Sequence, residues 1–285
     1  IHFYKRILQV ALDVTERLYD TIKAPYRKDV LQLAIRLIGQ SQTLFHLGSP
    51  SVSLIPRLGG RKPISDISSI TSIFRTIVET YLTMHEVFFS PKDDNDFDFF
   101  HSRWMLIGLH NIKKHTRDEV YDTFAPKEVE PLRIKATKRM EETTQYREML
   151  SKKKTPKKTM AALVNRTRDA KEWERIALSA NIDASAYQHM YSGYSGYIHS
   201  DGYTSYRLNH DEAFGIDLHI ETLLFIANRI VSKVINDFAK RYTEANQIAT
   251  SNTYLYPFIK HYSRRVSDDD LSQEFIDSYL DMFKE

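Results

Sequence analysis

Apolar residues return every three to four positions along most of this chain, and that spacing constrains the fold more than any other feature. Phe3, Ile7, Val10, Ala11, Val14 and Leu18 predict a helix over 1–23 that Pro25 ends. A second helix is expected over 29–45, with Asp29 as its N-cap. A third starts near Ser65 or Asp66 and runs to Phe89, with Ile70, Phe74, Ile77, Tyr81 and Phe88 as its apolar stripe. A fourth is expected over 97–124, a polar fifth over 132–150, and shorter helical pieces follow to about 182. Asn209 and Glu212 resemble a capping box opening a long helix over 210–243. Leu218, Leu223, Phe225, Ile226, Ile230, Val234 and Phe238 cover more than one of its faces, so it belongs at the centre of the bundle. A last helix follows Ser267, with Asp268, Asp269 and Asp270 in its first turn and Leu271, Phe275, Tyr279 and Met282 on its buried face. Residues 48–64, rich in glycine and proline, and 90–96 read as connections. With no hairpin pattern and no repeat, the expectation is an all-α multi-helix bundle forming a single helical domain. Its core spans about 1–124 and 183–285, with a basic helical excursion over about 132–175.

Glycine is scarce, with 9 in 285 residues, less than half the usual ~7%. Folds that bring backbone up to phosphate need glycine, and the chain has no GxGxxG, GxxxxGK[ST] or GxSxG. No cofactor is therefore expected. Cysteine is absent, which removes thiolate chemistry and cysteine-ligated metals and fits a reducing, cytoplasmic setting. No apolar run approaches the roughly 20 residues of a membrane span. The chain opens on Ile1 rather than Met, so a longer natural chain is expected.

Charge is unevenly placed. Residues 133–175 hold 14 Lys or Arg against 6 Asp or Glu, a balance of +8, which leaves −5 for the rest of a chain whose net charge is +3. Lys152, Lys153, Lys154, Lys157 and Lys158 form an exposed loop in this reading and are the candidate nucleic-acid contacts. The competing reading is a solvated helix and loop. Only Tyr146 and Trp173 supply aromatic faces there, so base stacking is not indicated.

Between Tyr187 and Tyr206 lie six of the 17 tyrosines and three of the nine glycines. On a helix, Tyr187, Tyr191, Tyr194 and Ile198 share one stripe, while Ser192, Ser195 and His199 share another about a quarter-turn away. Histidine titrates near working pH, so His199 suits acid–base chemistry with Ser195 one turn back. Packing explains a tyrosine stripe equally well, and a helix C-terminus explains a histidine. Arg75 and Glu79 project away from the apolar stripe of the third helix. They read either as a solvated i,i+4 ion pair or as an anion clamp with its orienting carboxylate. His199, His210 and His219 with Asp211, Asp217 and Glu221 lack any His-x3-His or Glu-x-x-His spacing, so no metal is expected. His110 and His115 are expected at the surface.

The run Tyr191-x-x-Tyr194-Ser195-x-x-x-His199, with Arg75-x-x-x-Glu79 upstream, resembles the signatures of an uncharacterised bacterial all-α family. That family looks like a relative of the HEPN superfamily, helical proteins that include RNA-cutting toxins and antiviral defence components. The resemblance spans about 65–240. It implies a helical protein of a bacterial stress or defence system that binds or cleaves RNA. His199 would be the acid–base residue, Ser195 its neighbour, Arg75 and Glu79 the anion clamp, and Tyr191 and Tyr194 the substrate-binding wall. Active HEPN ribonucleases share Arg-x4–6-His, and here the arginine positions hold Tyr194, Gly193 and Ser192. The departure favours the alternative, a non-enzymatic module that binds a protein partner or a second copy of itself.

Overall fold

The computed structural model describes residues 2–48, 67–153, 155–164, 170–188, 191 and 216–267. Among these the chain is all-α, and its only β-type pairing is an isolated parallel bridge between Ile182 and Val266. The contacts divide it into two compact units, Ile1–Met84 with Glu174–Glu285, and His85–Trp173.

The first unit contains α1 (His2–Thr21), α2 (Asp29–Gly48), α3 (Ile67–Met84), the second half of α9 (Ala170–Ser179), α10 (Ile216–Arg241), α11 (Thr243–Ser251) and α12 (Tyr256–Tyr262). α10 packs against α1, α2, α3, α11 and α12, which is the central position its multi-faced apolar pattern calls for. Leu223, Phe225, Ile226, Ile230, Val234 and Phe238 are all buried. The stripe of α3 is buried as spaced, with Ile70, Phe74, Ile77 and Tyr81 inside. Asp29 sits in the first turn of α2 rather than at its cap, a one-residue shift that leaves its charge at the favourable end of the helix dipole. The connection read over 48–64 lies outside the described residues from 49 on, as do the capping box at Asn209 and Glu212 and the helix expected after Ser267.

Tyr81 is buried, and its hydroxyl donates to Asp237 Oδ2 at 3.1 Å. Burial first, and the Asp237 carboxylate second, hold its pKa well above the ordinary value. The neutral form is therefore the one that folds. Above the unfolded tyrosine pKa of about 10, stability should fall by about 1.4 kcal/mol per pH unit for this residue until its folded pKa is passed. Tyr81→Phe should show a shallower decline in urea-unfolding stability between neutral and strongly alkaline pH. Equal slopes in the two proteins would contradict the assignment.

The second unit begins with a π-helical turn, His85–Phe89, in which Ser90 N–H donates to His85 O at 2.8 Å. The helix expected to reach Phe89 thus changes its winding after Met84. The unit continues through α4 (Asp94–His115), α5 (Asp118–Glu128), α6 (Glu130–Glu141), α7 (Thr144–Lys153) and α8 (Pro156–Val164). Asp93 caps α4 by accepting from Asp96 N–H at 2.8 Å. α4 packs on α6, α7 and α8, burying Phe99, Leu106, Met140, Tyr146 and Leu163 together. A smaller cluster joins Leu109, Tyr121, Ala125 and Val129.

Two long helices of the sequence reading are each broken here. The segment expected as one helix over 97–124 stops at Thr116, which is extended (φ −105°, ψ 137°). No side chain between Leu109 and Tyr121 is buried, so no packing rewards continuation. The segment expected over 132–150 breaks at Glu142 and Thr143. Thr143 is buried, and its hydroxyl donates to Met140 O at 2.6 Å, a local bond that competes with the helical ladder. The lysine-rich stretch is likewise less of a loop than expected. Lys152 and Lys153 close α7, and Pro156 opens α8 at the position where a missing N–H costs nothing.

Candidate functional site

In the first unit, Arg75 and Glu79 lie one turn apart on α3, and Arg75 Nε donates to Glu79 Oε1 at 2.9 Å. The i,i+4 ion pair is therefore formed, with about a quarter to a third of each side chain exposed. Residues 184–188 and 191 are helical and bring two tyrosines to this pair. The Arg75 guanidinium lies 4.1 Å from the centre of the Tyr191 ring, and Nη2 donates to the Tyr191 hydroxyl. Tyr187 stacks on Tyr191, with ring centres 5.5 Å apart and planes 28° from parallel.

Burial works to lower the Arg75 pKa, but the hydrogen bond and charge of Glu79 outweigh it, so the net shift is upward. Burial raises the Tyr187 pKa, with smaller contributions from Tyr191 and Glu79. The Tyr187 hydroxyl is buried and has no hydrogen-bond partner among the described residues. Arg75 thus carries a fixed cation, oriented by one carboxylate and one aromatic face, with guanidinium donors beyond the two already used. This arrangement can hold an anion. Of the residues singled out from sequence, the structure brings Arg75, Glu79 and Tyr191 together. Tyr194, Ser195 and His199 lie outside the described residues.

In the second unit, Lys152, Lys153, Lys157 and Lys158 are exposed, and Lys154 lies outside the described residues. No described residue pairs with these four lysines. Lys157 and Lys158 stand in the first turn of α8, where the helix dipole disfavours cations. Thr155 accepts at its hydroxyl from Lys158 N–H at 3.4 Å and so supplies only a weak cap. The local helix therefore gains nothing from these two charges, and an external anion would stabilise them.

Several polar groups escaped the sequence reading. His101 is buried among Phe88, Phe97 and Trp104, and its Nδ1 lies 3.3 Å from Arg139 Nη1. Arginine can only donate, so a hydrogen bond between the two has Nδ1 as its acceptor. Arg139 also pairs with Asp98. Arg103 and Glu172 form a buried pair at 2.9 Å. In the first unit, Arg229 and Lys233 of α10 are buried and donate to backbone carbonyls. The sequence signal was available for the last two: they are cations one turn apart on a helix apolar on nearly every face.

His110 and His115 are exposed, as expected. Among the described residues no group of three His, Asp or Glu is placed to hold a metal ion, and no helix is long and apolar enough to cross a membrane. Of the six acidic and histidine residues considered as a metal cluster, only Glu221 has a described side chain. Comparison with known protein families, with curated proteins and with solved structures yields no match.

Proposed function

We propose that this chain is a HEPN-like helical protein of a bacterial stress or defence system that binds RNA through the basic face at the α7–α8 junction. The observation that carries the reading is the set of four exposed lysines, two of them set against the dipole of α8. Their spacing suits successive backbone phosphates better than bases, because few aromatic faces accompany them. The Arg75–Glu79–Tyr191 arrangement supports a second anion contact in the other unit. If the chain is catalytic, His199 is the acid–base residue beside Ser195. Tyr194, Gly193 and Ser192 stand where HEPN ribonucleases carry arginine, so binding rather than cleavage is assigned.

The test is the salt dependence of binding to single-stranded poly(U), with polyglutamate as an acidic protein-like control. Each phosphate neutralised on a single strand contributes a slope of about −0.7 in log affinity against log salt, so four lysines predict about −3. Salt-independent binding, or polyglutamate binding as tight as RNA binding, would overturn the reading, and the second result would favour an acidic protein partner.

A further inference from the structure

Within the His85–Trp173 unit, an open cleft of about 510 Å³ lies between three helices, with Tyr121 of α5 at its edge. Each offers residues at helical spacing: Leu106, Leu109, His110 and Lys113 from α4, Glu130, Arg133 and Thr137 from α6, and Lys157, Met160, Ala161 and Val164 from α8. The lining divides into two chemistries. Leu106, Leu109, Met160 and Val164 make an aliphatic floor, extended by the edge of the nearly buried Tyr121. Lys113, Arg133, Lys157 and His110 are exposed at the rim. The one carboxylate in the lining, Glu130, is already held by Arg133, whose Nε donates to it at 2.9 Å. The charge of Lys113 also acts on Glu130, and the Lys113 ammonium lies 5.9 Å from the centre of the Tyr121 ring, so one carboxylate faces three cations and the rim keeps a net positive charge.

From this pairing of an aliphatic floor with a net cationic rim, we propose a binding site for a single-chain amphiphilic anion, an acyl or alkyl chain with a carboxylate or phosphate head. The chain lies over Leu106, Leu109, Met160 and Val164, and the head meets Lys113 and Lys157. The volume falls in the range of small-ligand pockets, about 300–1,000 Å³, and is too short for a partner helix of several turns. A nucleobase fits less well, because Tyr121 offers little exposed face and leaves the small His110 imidazole as the one ring to stack on. The site is separate from the RNA reading, since it uses the concave face between α4, α6 and α8 and shares only Lys157 with the lysine cluster.

The experiment is isothermal titration of the full chain with decanoate and with decyl phosphate, beside decanol and inorganic phosphate. Both amphiphilic anions should bind, and loss of either the charge or the chain should weaken binding by about tenfold or more. Decyl phosphate bound at least as tightly as decanoate would identify a phosphate head, and the reverse a carboxylate. Lys113→Gln, an exposed change, should weaken both by about tenfold, and Met160→Trp should block the floor. Circular dichroism and poly(U) binding should be unchanged in both variants, which separates this site from the RNA surface. Absence of binding by both anions, equal binding of decanol, or affinities untouched by both substitutions would overturn the proposal.

Discussion

Replacing Lys233 with methionine is expected to lower the stability of the Ile1–Met84 and Glu174–Glu285 unit by about 1–3 kcal/mol, a sizeable share of the usual 5–15. The ammonium is buried and donates to three carbonyls: Ala180 O at 3.1 Å, Asn181 O at 3.3 Å and Ser263 O at 3.2 Å. Two of these follow the end of α9. That end is a Schellman turn, with Asn181 in the left-handed region (φ 56°), Ile182 N–H donating to Ala177 O, and Asn181 N–H to Leu178 O. The third is the C-cap of α12. A single cation therefore meets the negative ends of two helices. One turn earlier Arg229 donates to Tyr262 O, at the end of α12, at 3.3 Å and to Arg265 O at 2.7 Å. Methionine keeps most of the side-chain volume, so the loss would report the carbonyls left without this donor rather than a cavity. Urea denaturation is the measurement. A loss under about 0.5 kcal/mol would mean that the carbonyls are satisfied by other means.

A larger effect is expected in the second unit from Glu172→Ala. Arg103 Nη2 meets Glu172 Oε1 at 2.9 Å, with side chains only 12% and 8% exposed. Among the described residues the buried Arg103 ε-nitrogen has no hydrogen-bond partner, so the carboxylate supplies most of the compensation found there. Removing it strands a guanidinium in the interior, at a cost of about 3–5 kcal/mol. The double replacement Arg103→Met with Glu172→Leu should cost less than the single one, because the buried guanidinium is then removed along with its carboxylate. Thermal unfolding of the three variants decides this. A double variant less stable than Glu172→Ala would assign the pair a role in specifying the packing and contradict the desolvation argument.

The helices were legible because their apolar faces repeat with the helical period. The stripe of Ile70, Phe74, Ile77 and Tyr81 and the multi-faced pattern of α10 are both buried as spaced. The breaks at Thr116 and Thr143 were not, because they depend on what packing fails to bury and on a side-chain bond to Met140, neither of which has a period. The buried pair of Arg103 and Glu172 lies 69 positions apart in sequence, beyond any local pattern. The site was legible in the same partial way. The i,i+4 spacing of Arg75 and Glu79 announces their pairing, and the tyrosine stripe announces a shared face for Tyr187 and Tyr191. That this face turns toward Arg75 follows only from the packing of segments 116 residues apart.

The measurement that bears most directly on RNA engagement is fluorescence anisotropy of labelled poly(U) titrated with the wild-type chain and with a Lys152→Gln, Lys153→Gln, Lys157→Gln, Lys158→Gln variant. All four positions are exposed, so the fold should survive, as circular dichroism can verify. The variant is expected to bind more weakly at low salt, with a log–log salt slope shallower by about 3. An unchanged affinity and slope in a folded variant would contradict it.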